Sequence, residues 1–286
     1  MKKYNFKYWA PLINFKTDQE NFSITEKVLI RVASKREQDI LSGLQKKWTN
    51  VRVGKFLLEI TLEKDEPEPE YNFYAKEARD QIEKAITIFR LFKGELVGFN
   101  LIVGRLSEQE IYAYHAVTYF HYNLWTSPES PLSKRNFVIN RTDVEAFQSF
   151  FDEFGQISFQ PFELAIEYFN KSYIEPYTPR DSFLDLMVAL ENLYLKGITQ
   201  ELVYRLCLRI SYLLGQNYEK RKTTFDLMKD AYEKRSKIVH GEKVSKLTDQ
   251  QLLETRELTR QSLKIFLKNP QIIDELDEII FRGAIP

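Results

Sequence analysis

The chain has 286 residues with 41 basic and 41 acidic side chains, so its formal charge is zero and whole-molecule attraction to nucleic acid is excluded; any polyanion site must be local. Its single cysteine, Cys207, excludes an intramolecular disulfide and a Cys-rich zinc site, and fits a reducing, cytoplasmic compartment. Apolar residues make up 43%, with only ten Gly and ten Pro, which predicts a soluble folded chain of one large or two smaller domains.

The opening stretch MKKYNFKYWAPLINF is basic but interrupted by Lys, Asn and Pro, so no signal peptide is expected, and no window reaches the roughly 18 apolar residues of a membrane span. Residues 27–34 (KVLIRVAS) and 55–64 (KFLLEITLEK) alternate as strands do. DEPEPE (65–70) is an acidic, proline-broken loop. Over 74–94, Ala78, Ile82, Ala85, Ile86 and Phe89 recur at helical spacing, and Gly94 is a natural stop. Residues 95–106 and 112–125 are rich in β-branched and aromatic side chains and predict strands. TSPESPLSKRN (126–136) has the composition of a linker.

Beyond it the periodicity is helical throughout, over 142–153, 158–174, 182–196, 200–215, 219–238, 248–267 and 271–282. The expected architecture is therefore an α+β domain over 1–130, a linker at 131–141, and an all-α helical bundle over 142–286. The first domain would sense, recruit or restrain.

His115 and His121 point to one face of a strand but have no acidic residue within it, so no metal site is expected. Cys207 lies between Leu206 and Leu208 and reads as a buried thiol. There is no P-loop, no G-x-G-x-x-G and no G-x-S-x-G, and no cofactor is implied.

The richest chemistry lies in AYEKRSKIVHGEKV (231–244). Phe225, Met228 and Tyr232 make residues 219–238 amphipathic, and Gly241 can close the helix just after His240. At about 100° per residue, Ser236 and Lys237 lie under His240, and the long Arg235 side chain can curl toward the same space. A guanidinium, a hydroxyl, an ammonium and an imidazole at one helix end suit a phosphodiester. Residues 219–237 hold seven cations against four acids, which fits either an RNA-tracking surface or a solvated face of i,i+4 pairs.

A second feature lies upstream. The helix over 181–197 opens with Ser182-x-x-Asp185, a capping pattern, and Glu191 interrupts its apolar stripe. A carboxylate there needs a cation or a hydrogen-bond donor. The candidates are Arg205, Arg209 and Arg235, with the Tyr194 hydroxyl a weaker one.

SFLDLMVALENLYL (182–195), LVYRLCLRISYLLG (202–215) and DAYEKRSKIVHG (230–241) resemble, in order and spacing, the HEPN domain, and in particular its Apea-like branch. The resemblance spans about 160–268 and does not reach the first 130 residues. It implies a helical bundle that dimerises and cuts RNA without a metal, with Arg235 holding the phosphate, His240 as general acid or base, and Glu191 orienting one of them. Ser236 and Lys237 support the site, and Arg205 and Arg209 are structural or phosphate-contacting. Many active members carry Asn, Asp or His where Ser236 stands, so two readings stay open. One is an endoribonuclease acting as a toxin or phage-defence effector, partnered by RNA, by a second copy of itself, and by an antitoxin or regulatory protein. The other is an inactive dimerisation or partner-binding module.

Overall fold

The computed structural model of the protein describes residues 3–47, 54–65, 73–99, 101–106, 115–117, 136–173, 178–242 and 247–282. Among these, two compact units divide between Gln156 and Ile157. The first is built on an antiparallel sheet and the second is helical.

In the first unit β1 (Tyr4–Pro11) runs through the middle of a six-stranded sheet. β2 (Phe15–Thr17) leaves that sheet, β3 (Asn21–Ser23) and β4 (Val28–Val32) form one edge, and α1 (Lys35–Lys47) follows. β5 (Phe56–Lys64) pairs with both β1 and β4, and α2 (Phe73–Lys93) crosses behind it. β6 (Ile102–Leu106) and β7 (His115–Val117) complete the order β3-β4-β5-β1-β6-β7, antiparallel throughout. β8 (Phe137–Ile139) pairs in parallel with β2 in a separate two-stranded sheet.

Both faces of the six-stranded sheet are covered, which explains why residues 56–60 are buried without alternation. On one face Trp9, Leu57, Leu101 and Val103 cluster with Ala33 and with Leu41 of α1. On the other, Phe56 meets Phe15, which meets Phe89 of α2 and Phe137 of β8. Helix α1 is placed by a capping box: the Ser34 amide donates to Glu37, and the Glu37 amide to the Ser34 hydroxyl. Glu37 also clamps Arg31 with two 2.7 Å bonds, and Arg31 reaches the buried Glu59. Burial would push the Glu37 carboxyl up, but bonds from Arg31 and Ser34 bring it down to about 2.

The unit boundary differs from the expected linker at 131–141, and residues 142–153 do not join the helical domain. Helix α3 (Val144–Gln156) packs on α2, with the Phe147 ring edge-on to Phe89 at 4.9 Å and against Phe92 at 5.2 Å. Those apolar side chains satisfy each other within the first unit, and within the expected linker β8 is a strand.

The second unit holds α4 (Glu163–Lys171), α5 (Pro179–Tyr194), α6 (Leu202–Leu214), α7 (Tyr218–Val239), α8 (Asp249–Lys268) and α9 (Ile272–Arg282). Expected helix 158–174 instead begins as a 3₁₀ turn at Gln160–Phe162 around Pro161. Helix α5 is the core element: Phe183, Leu186, Met187, Leu190, Leu193 and Tyr194 are fully buried. Its start differs from the expected Ser182-x-x-Asp185 cap. The cap is Thr178, with a capping box to Asp181 and Pro179 in the first turn, while Ser182 is buried inside the helix. No helix among the described residues is long and apolar enough to cross a membrane.

Candidate functional site

The C-terminal end of α7 is closed by backbone geometry. The Glu242 amide donates to the Lys237 carbonyl at 2.9 Å and the Gly241 amide to Ile238 at 3.2 Å, with Gly241 at φ +72°. This is the Schellman arrangement, and its positive φ is open to glycine at little cost. His240 is therefore the cap residue, its amide bonded to the Ser236 carbonyl at 3.0 Å and its side chain exposed. Arg235, Ser236, Lys237 and His240 all fall within the last two turns. Arg235 and Ser236 are partly buried, and Lys237 is exposed.

Of the three arginines considered for Glu191, the structure selects Arg235. Arg235 Nη2 donates to Glu191 Oε2 at 3.1 Å, and Nε lies 3.1 Å from Oε1. Oε1 is buried, and the Nε contact is too poorly aligned to count as its hydrogen bond. Burial pushes the Glu191 carboxyl up; the Arg235 charge and the Tyr232 hydroxyl oppose it, and the net direction is upward. The Arg235 guanidinium carbon sits 5.8 Å from the Tyr232 ring centre. Among the described residues its Nη1 has no partner, so Glu191 holds one edge of the fork and leaves the other.

Arg205 and Arg209 lie elsewhere. Arg209 is buried and donates to Asp277 of α9 from Nε at 3.0 Å and Nη2 at 2.8 Å, and to the Tyr194 carbonyl from Nη1 at 2.6 Å. Arg205 Nη1 is 3.6 Å from the same aspartate. Both tie α6 to α9. The Tyr194 hydroxyl pairs with Ser262 at 2.8 Å and leaves Glu191 alone.

Arg180 reaches this helix end although the sequence pattern does not single it out. It stands in the first turn of α5 and donates from Nη2 to the Ile238 carbonyl at 2.9 Å, at the end of α7. The run Thr178-Pro179-x-Asp181 signals a helix start there; taking Ser182 as the cap left Arg180 outside the helix.

The basic texture of α7 is partly neutralised by i,i+4 pairs: Lys222 with Asp226 at 3.2 Å and Lys234 with Asp230 at 2.7 Å. Cys207 is buried, and burial raises its thiol to about 11. His115 lies in β7 and His121 falls outside the described residues. Among the described residues, no three His, Cys, Asp or Glu side chains cluster to hold a metal ion.

No family model, no curated protein and no solved structure matches the chain.

Proposed function

We propose that the helical unit is a HEPN-type endoribonuclease, acting as a homodimer and without a metal. The observation that carries this reading is the pairing of an exposed His240 on a backbone-closed helix end with an Arg235 whose fork is held on one edge only. The ribose 2′-oxygen attacks the adjacent phosphorus, the bond from phosphorus to the 5′-oxygen breaks, and a cyclic phosphate and a free 5′-hydroxyl result. His240 takes the proton from the 2′-hydroxyl or returns one to the leaving oxygen. Arg235 supports the charge that grows on the non-bridging oxygens, and Glu191 orients Arg235. A cellular toxin or phage-defence effector held off by an antitoxin or regulatory protein is the setting this chemistry fits.

The test is degradation of RNA in EDTA by the wild-type chain and by His240→Ala. Cleavage by the wild type, its loss in the variant, and equal melting temperatures support the proposal. Retained activity in His240→Ala overturns it.

A second reading rests on the same ion pair. Glu191 matches the charge of Arg235, as a structural tie between α5 and α7 would. The helical unit is then a dimerisation or partner-binding module without chemistry, and a folded wild-type chain leaves every RNA intact.

A further inference from the structure

We infer that Arg180 is the principal phosphate-gripping cation of this site; the inference rests on the ribonuclease reading above. Two arginines reach the end of α7, and they are not electrostatically equivalent. Arg235 is paired with the Glu191 carboxylate, so the pair presents little net charge to an incoming polyanion. Arg180 has no carboxylate partner among the described residues; its neighbour Asp181 is occupied in the capping box of α5, accepting from the Thr178 amide at 2.9 Å and hydroxyl at 2.8 Å.

The Arg180 guanidinium is nevertheless not loose. Its bond to the Ile238 carbonyl fixes it two residues before His240 along the closing turn. One Nη2 hydrogen serves that carbonyl, and the exposed remainder of the fork has the planar geometry that matches two phosphate oxygens. Lys237, exposed on the same turn and without a carboxylate partner among the described residues, adds a second charge. The first turn of α5 thus supplies the grip, and the last turn of α7 supplies the imidazole.

The experiment measures anisotropy of a fluorescein-labelled single-stranded oligoribonucleotide with the full chain carrying His240→Ala, across a salt series. Cleavage is followed separately in chains that keep His240. Arg180→Gln is expected to weaken binding about 5–10-fold at low salt and to flatten the slope of log affinity against log salt by roughly 0.7, the loss of one phosphate contact on a single strand. Arg180→Lys, which keeps the charge but not the planar fork, is expected to recover the salt slope and only part of the affinity, a split that a mere helix cap does not produce. An Arg180→Gln chain with unchanged affinity, slope and cleavage rate overturns the inference and leaves the nuclease reading standing. A wild-type chain that neither binds nor cuts RNA overturns both.

Discussion

Arg235 and Glu191 meet side-on between α7 and α5, each guanidinium nitrogen of the shared edge 3.1 Å from its oxygen. The pair is neither sealed nor free: the two side chains keep 26% and 22% of their exposure. Such a pair couples stability to the placement of a chemical group. In a double-mutant cycle with Glu191→Gln and Arg235→Gln, thermal melts are expected to give a coupling of about 1–2 kcal/mol. Glu191→Gln is also expected to lower cleavage by about tenfold without weakening RNA binding, because the site loses the carboxylate that orients Arg235 but keeps its cations.

Asp185 carries a pH dependence. Burial, reinforced by Asp181 and opposed by Lys171, raises its carboxyl to about 6 from the ordinary 3.8. A raised carboxyl binds its proton more tightly in the folded state. Its contribution is favourable below the ordinary value and is lost as pH rises to about 6. Glu191 is shifted in the same direction. Asp185→Asn is therefore expected to stabilise the chain at pH 7.5 by roughly 1 kcal/mol, a figure discounted for the half of the group still in water, and to change little at pH 4. Melting temperatures of both chains across that range check it.

Arg209 is expected to be structural. Arg209→Ala removes the ties to Asp277 and leaves the Tyr194 carbonyl without its donor, at a cost of about 2–4 kcal/mol in urea unfolding. Asp277→Ala, which leaves a buried guanidinium short of its carboxylate, is expected to cost a comparable amount. Specific cleavage per folded molecule is expected to stay at the parent value for both.

Arg256 in α8 is the opposite case. It is 2% exposed, donates from Nη2 to the Ser172 carbonyl at 2.6 Å, and lies 4.6 Å over the Tyr173 ring, yet Nε and Nη1 have no hydrogen-bond partner among the described residues. Burial lowers its pKa to about 10. A buried charge so poorly compensated costs more than its contacts return. Arg256→Met, of similar length and apolar, is expected to raise stability by about 1 kcal/mol. A lower melting temperature would refute that.

The helical unit was largely legible in the sequence because each helix buries one stripe: the expected bounds of the last four helices fall within two residues of the observed ones. The need of Glu191 for a cation was legible for the same reason, since a charge within an apolar stripe must be answered. Which cation answered it was not, because all three arginines lie on neighbouring helices and only packing chooses among them. Arg180 was hidden by a second plausible cap, Ser182-x-x-Asp185, four residues downstream of the true one. In the first unit, α1 was missed because KREQDILSGLQKK carries so few apolar residues that its stripe is reduced to little more than Leu41. β1 was missed because Lys7 and Pro11 break the pattern locally, although register with β5 and β6 on both sides compels the strand. The domain boundary failed because a helix seen alone does not declare which core it serves.

The parallel ladder of β2 with β8 has a consequence for biosynthesis. Phe15–Thr17 must await Phe137–Ile139, about 120 residues downstream, before the two strands can join. During that interval the Phe15 ring lacks its stacking neighbour Phe137, and α2 lacks the cover of α3. The first strands thus emerge from the ribosome with an unfinished greasy surface, and its later closure is the step at which chaperone dependence and aggregation are expected to concentrate.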